Sequence, residues 1–262
     1  MKNRFAKLVN SLSKKFGYRF IKIQKNNWSD NFIGISKFEK KILKISSKYS
    51  MTGFERMFFL IKALKQIKID NTEGDFVECG VWKGGNLILF QKIIEKLNFK
   101  NRKIFAYDTF SGMSQPGSFD LNVNNEKAST IVNKLKKKGV DSKKNIILAE
   151  CDLEEVKKNF KENTKKNNNL ICIKGEVEKT LKIKKNLPKK ISLLRLDTDW
   201  YQSTKTELEV LFPLLSKNGI LIIDDYGYWK GSKKAVDEYF KYKKINLFKI
   251  DYTARYLFKR NK

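Results

Sequence analysis

Read as apolar and polar positions, the chain changes rhythm once, near residue 75. Before that point the spacing is helical. Phe5, Leu8, Val9 and Leu12 recur on one face with lysines between them, which predicts a short basic amphipathic helix over residues 1–16. A second helical segment covers 36–47. A third runs through "FERMFFLIKALKQIK", with Thr52 as its expected N-cap and Glu55 three residues on. After residue 75, strands and helices alternate. "DFVEC" leads to a helix from Asn86 to Leu97, "KIFAYD" to a polar stretch and the helix "DLEEVKKNFKEN", and "LICIKG" to "ISLLRLD". The helix "TKTELEVLFPLLS", the strand "GILIIDD", a helix near 231–241 and two closing strands, "NLFKI" and "ARYLFK", complete the pattern. Alternation in units of this size predicts an α/β fold with a doubly wound, mostly parallel sheet of seven strands. Residues 1–50 are expected to form a basic helical N-terminal extension and 51–262 one domain. The stretch 116–147, rich in Asn, Lys, Ser and Gly, is too long for an ordinary connection and reads as an active-site lid or flexible insertion.

Composition narrows the compartment and the partners. With 262 residues and 41% hydrophobic content the chain can bury a full core. No run is long and apolar enough to span a membrane, and the N-terminus has neither the apolar core nor the cleavage site of a signal peptide, so a cytoplasmic protein is expected. Cys79, Cys151 and Cys172 form no CxxC pair and read as reduced thiols. The net charge of +28 invites a nucleic-acid reading. Residues 1–70 carry 17 basic against 4 acidic side chains, but residues 71–130, where the first ligand loop lies, are balanced at 7 against 7. Only seven of the 56 basic residues are arginine, whose planar fork dominates base and phosphate recognition. The lysine is therefore read as a solvated surface, with no specific nucleic-acid partner. The segment 1–16 keeps two expectations open: it lies on an anionic membrane, at the inner face, or it packs on the protein or a second subunit as a homo-oligomer contact.

Three stretches carry chemistry. In "VECGVWKGGN", residues 77–86, Gly80 lets a ligand approach the backbone, and Gly84 and Gly85 open the next helix, whose N–H groups favour a polar or anionic group. The spacing is not GxGxxG, which disfavours a dinucleotide. Asp108 in "FAYDTFSG" ends the following strand, where an acid can accept both hydroxyls of a ribose. Finally, "ISLLRL" ends on Asp197 and Asp199, and "ILII" on Asp224 and Asp225. If these strands are neighbours in a parallel sheet, four carboxylates share one rim, and a cation or a shared proton must relieve them. The chain has no histidine, so the all-oxygen donor set points to Mg²⁺, Mn²⁺ or Ca²⁺ rather than zinc or copper. One of the four acids could instead cap a helix.

"DFVECGVWKGG", "YDTFSGM", "LLRLDTDWYQST" and "GILIIDDYG", in this order, resemble the macrocin O-methyltransferase family, metal-dependent S-adenosylmethionine enzymes that methylate sugar hydroxyls. "MTGFERM", with Met51, Thr52 and Arg56, is similar to the family's segment over the cofactor pocket. The resemblance spans roughly residues 50–240 and implies a class I methyltransferase fold. It implies that Met51, Thr52, Glu78, Gly80, Val81, Trp82, Gly84, Gly85, Asp108, Thr109, Phe110, Gly175 and Asp197 surround S-adenosylmethionine. By the same resemblance Asp197, Asp224 and Asp225 hold Mg²⁺ or Mn²⁺, and Asp199 is the general base for a sugar or glycan hydroxyl. A catechol-type O-methyltransferase shares such an acidic rim and stays open. A nucleic-acid methyltransferase is disfavoured, because "DTDW" stands where an Asn/Asp-Pro-Pro-aromatic motif would be expected.

Overall fold

The computed structural model describes residues 34–260 apart from 167. The amphipathic segment expected over 1–16 lies outside the described residues. The first helix, α1 (Lys37–Ser46), opens with a reciprocal cap: the Ser36 hydroxyl accepts the Glu39 amide at 3.2 Å while the Glu39 carboxylate accepts the Ser36 amide at 2.7 Å. Next, α2 (Phe54–Ile69) starts at Gly53, not at the expected cap Thr52. The Thr52 hydroxyl instead accepts Asn86 Nδ2 at 3.0 Å and Arg195 Nη2 at 3.1 Å, so it is drawn inward to a buried polar network.

The α/β body then runs β1 (Asp75–Cys79), α3 (Gly85–Leu97), β2 (Ile104–Asp108), α4 (Ala128–Lys137), α5 (Leu153–Asn163), β3 (Leu170–Lys174), the single turn α6 (Val177–Thr180), β4 (Ile191–Leu196), α7 (Tyr201–Leu211), β5 (Leu215–Ile223), α8 (Lys230–Phe240), β6 (Phe248–Lys249) and β7 (Arg255–Phe258). Helix α7 begins three residues earlier than its periodicity suggests. It gives way to a 3₁₀ turn at Phe212–Leu214, where Pro213 cannot continue the α ladder.

The seven strands form one sheet in the order β3-β2-β1-β4-β5-β7-β6, with β1 to β5 parallel and β7 antiparallel to β5. Strand alternation divides the core. Phe76 and Leu193 face a cluster built with α1, α2, α3 and α5, whereas Val77, Leu194 and Leu196 face α6, α7 and α8. Ile42 and Leu43 of α1 are almost wholly buried in the first cluster. Residues 36–50 thus pack onto the same core as the α/β body. The insertion expected at 116–147 carries α4 and two bridges, one of them tying Asn122 to Trp229.

The strand order reverses between β1 and β4, because β2 and β3 lie on one side of β1 and β4 and β5 on the other. Parallel sheets bind ligands outside the carboxyl ends at such a point.

Candidate active site

Gly80 and Asp197 leave the sheet at that reversal. Gly80 has φ +80°, and a Cβ there would collide with the Asp197 carbonyl oxygen, so only glycine lets the two strand ends pass. Above them opens a cavity of about 380 Å³ lined by Met51, Thr52, Arg56, Gly80, Val81, Trp82, Asn86, Asp108, Asp197, Asp199, Asp224 and Asp225. Met113, Ile146, Ile147, Tyr228, Trp229 and Tyr252 add an apolar wall. Thr109 and Gly175 line an adjoining hollow that shares Gly80, Asp108 and Asp197.

Other expected residues act behind this surface. Gly85 admits Ser46 and Ser50, Gly84 packs on Val156, and Phe110 is a core residue. Asp108 gathers the loop itself: its carboxylate accepts the amides of Val81 and Phe110 at 2.7 Å each and that of Trp82 at 3.3 Å. Burial raises its pKa, and those amides oppose the rise.

Beneath the cavity lies a residue that the motif reading passed over. Strand register pairs Glu78 of β1 with Arg195 of β4, on the same face. The Arg195 side chain is 1% exposed; Nη1 donates to Glu78 Oε1 and to Asp197 Oδ2, each at 2.7 Å, while Nη2 reaches Asp224 Oδ1 and Thr52. Its signal was in the sequence, since a charge inside the otherwise apolar run "ISLLRL" must have buried partners. Arg56 closes the network from α2. It pairs with the second oxygen of Asp224 and, through Nε, with Asp251 at 3.0 Å. Asn86, a polar residue at the buried start of α3, joins Glu78 to Thr52.

The four rim acids consequently separate. None of them caps its own helix, because α7 and α8 begin at Trp200 and Trp229 without a side-chain cap from either residue. Asp224, expected as a metal ligand, has both oxygens on guanidinium groups. Burial pushes its pKa up, but Arg195 and Arg56 outweigh that and hold it below the ordinary value. The triangle able to offer one oxygen each to a single ion, with those oxygens within 4.8 Å of one another, is Asp197, Asp199 and Asp225. Burial, and then mutual repulsion, raises all three, Asp199 to about 8.

A family model, that of the macrocin O-methyltransferases, matches residues 43–260. The chain belongs to that family. Membership makes it an S-adenosylmethionine-dependent O-methyltransferase, and its seven-stranded sheet is that of the class I enzymes. The demethyldecarbamoylnovobiocin O-methyltransferase of Streptomyces niveus is 29% identical over 195 residues, 74% of this chain and 68% of that enzyme. The 8-demethyl-8-(2,3-dimethoxy-alpha-L-rhamnosyl)-tetracenomycin-C 4'-O-methyltransferase of Streptomyces olivaceus is 30% identical over the same shares. The solved structure of the O-methyltransferase NovP superposes with a TM-score of 0.69 at 27% identity, covering 81% of this chain and 83% of NovP.

Proposed function

We propose that this macrocin-family enzyme methylates a hydroxyl of a sugar or a glycosylated small molecule, with a divalent cation, Mg²⁺ or Mn²⁺, at the acidic rim. The observation that carries this reading is the meeting of the Gly80 loop and the Asp197–Asp199–Asp225 triangle in one cavity. The residues present fit both groups. Glu78 Oε2 and Asn86 Oδ1 are buried acceptors without a partner, which suits the ammonium end of the methyl donor beside Gly80. The like charges of the triangle suit a hard cation held by oxygen ligands.

Within this reading Asp197 and Asp225 hold the ion. Mg²⁺ typically uses one or two carboxylates and leaves its other positions to water and substrate oxygens. When bound, the ion lowers the pKa of a sugar hydroxyl and fixes its orientation. Asp199 receives the proton, lying in the same cavity beside Asp197 and Asp225. Asp224, with both oxygens on arginines, anchors Arg56 and Arg195. The apolar wall of Met113, Ile147, Tyr228 and Trp229 gives the acceptor ring a surface to lie on. No helix among the described residues is long and apolar enough to cross a membrane. The relatives act on small molecules by name, and a soluble glycoside is the acceptor class we adopt.

The test is transfer of a labelled methyl group to a panel of glycosides, nucleotide sugars and catechols, with Mg²⁺ or chelator, followed by metal titrations of three variants. Asp225→Ala should need more Mg²⁺ and recover part of its rate in excess. Asp199→Asn should lose on the order of a hundredfold and recover nothing. Asp224→Asn should lose thermal stability without a changed Mg²⁺ requirement. Transfer to catechols alone would replace the sugar reading, and rescue of Asp199→Asn by Mg²⁺ would make Asp199 a ligand.

A further inference from the structure

Asp199 occupies a backbone conformation that an L-residue avoids. Its φ is +66°, and the Trp200 amide bonds back to the Thr198 carbonyl at 2.7 Å, so Asp199 is the central residue of a positive-φ three-residue turn. Such turns are rare and strained and persist where neighbouring structure holds them. The helix that follows, α7, has no side-chain cap from its own N-cap residue Trp200. Asp120, in the 116–147 insertion, supplies that cap from 81 residues away: its Oδ1 accepts the Tyr201 amide at 2.7 Å. Its Oδ2 accepts the Gly117 amide of the insertion at 2.6 Å. One carboxylate, 1% exposed, therefore joins the insertion to the first residue of α7, two positions beyond Asp199.

Two further contacts grip the same place. The Trp200 indole N–H donates to the Ser114 carbonyl at 3.0 Å, and its ring packs with Trp229 and Ala128. Gly231 of α8 has no room for a Cβ, which would collide with Asp120 Oδ1, so a glycine inside a helix is explained by the seat made for this carboxylate.

We propose that Asp120 is a positioning residue that couples the seating of the insertion to the turn holding Asp199. The consequence for catalysis rests on the reading of Asp199 as the base. With the insertion seated, the Tyr201 amide is fixed and Asp199 is held in its strained turn among Asp197 and Asp225. With it unseated, Tyr201 loses its acceptor, and the turn relaxes away from positive φ.

The experiment uses the full chain carrying Asp120→Asn, Asp120→Ala, Asp199→Asn, and Asp120→Ala combined with Asp199→Asn. Backbone amide exchange, S-adenosylmethionine affinity and transfer rate are measured for each. Asp120→Ala should raise exchange at residues 199–202 by about tenfold or more while β4 stays protected. The rate should fall at least tenfold with cofactor affinity within about twofold of wild type. Asp120→Asn, which keeps one acceptor, should fall between the two and covers the event that Asp120→Ala does not fold. Added to Asp199→Asn, Asp120→Ala should lower the rate by less than about twofold, because its effect passes through Asp199. Wild-type exchange at 199–202 in the Asp120 variants, or a double variant slowed by the product of the single effects, overturns the proposal. If wild type transfers to no hydroxyl acceptor, the functional reading fails, and the exchange comparison still decides whether Asp120 holds the turn.

Discussion

Replacing Arg195 by methionine isolates the buried hub of the site. The guanidinium donates to Glu78, Asp197, Asp224 and Thr52, and these partners do not suffer equally. Asp224 keeps Arg56, and the Asp197 side chain is 28% exposed. Glu78 is the group left stranded: it is 1% exposed, retains only Asn86 at 2.9 Å, and already has one oxygen without a partner. Removing one member of a buried ion pair costs about 3–5 kcal/mol, which for a domain of this size lowers the Tm by about 10 °C. The loss depends on pH. Burial already holds the Glu78 pKa above its ordinary value despite Arg195, and losing Arg195 raises it further. An acid whose folded pKa exceeds its unfolded one costs stability as pH rises from the unfolded value through the folded one. Arg195→Met should therefore show a smaller deficit against wild type at pH 5 than at pH 8, because a lower pH favours the neutral Glu78. Thermal unfolding at the two pH values is the assay. A variant within about 2 °C of wild type at pH 8, or a larger deficit at pH 5, refutes the hub.

Glu207 is fully buried beside Cys79 and Thr198, and burial raises it to about 8. Burial favours its neutral form while the unfolded chain ionises it, so Glu207→Gln should increase stability more at pH 8 than at pH 5; a loss at pH 8 rejects this. Asp199, raised to about 8, costs the metal-free domain stability as pH climbs from about 4 to 8. Excess Mg²⁺ should thus raise the Tm more at pH 8.5 than at pH 6, and an equal or reversed effect counts against a cation among these acids. Burial pushes the thiols of Cys151 and Cys172 to about 12 and 11 and raises that of Cys79 well above its ordinary value. All three should resist a thiol reagent at pH 7.5 until the protein is unfolded; one thiol reacting at the rate of free cysteine contradicts the packing.

Much of the architecture was legible because the rhythm of the chain is clean. Each of the seven strands overlaps an apolar run bounded by turn residues, although β5 starts at Leu215, inside the expected helix, and the order of elements follows. The boundaries that moved did so for tertiary reasons. Thr52 has the look of a helix cap, but Asn86 and Arg195 compete for its hydroxyl. Ser36, which does cap, precedes a lysine-rich helix that polarity assigned to an extension, although Ile42 and Leu43 anchor it in the core. At the site, the sequence brought the acids to one rim without dividing them. That division depends on two cations 139 residues apart, Arg56 on α2 and Arg195 on β4, meeting at Asp224. The apolar wall was equally hidden, since Met113, Ile147, Tyr228 and Tyr252 share no periodicity and converge only through the loop after β2, the insertion and the loops after β5 and β6.

The arginines also explain why an acidic floor can wait for a cation without unfolding the strand ends. Glu78, Asp197, Asp224 and Asp251 share Arg56 and Arg195, and Asp199 and Asp225 lie beside them, so full ionisation of the six acids against two arginines leaves an excess of four negative charges. Arg195 lies on the sheet, and with Arg56 it neutralises the acids nearest the core, Glu78 and Asp224. The residual charge is thereby pushed toward the cavity, onto Asp197, Asp199 and Asp225, where burial raises the affinity for protons. In the proposed chemistry a divalent ion and the positively charged methyl donor meet that excess from the open side, where an acceptor also enters. Asp224 lines the cavity as well, but both of its oxygens are engaged by guanidinium groups, which leaves Asp197, Asp199 and Asp225 to meet what enters. The reach of Arg56 from α2 to Asp224 and Asp251 therefore bears on which of the rim acids is free to take a proton.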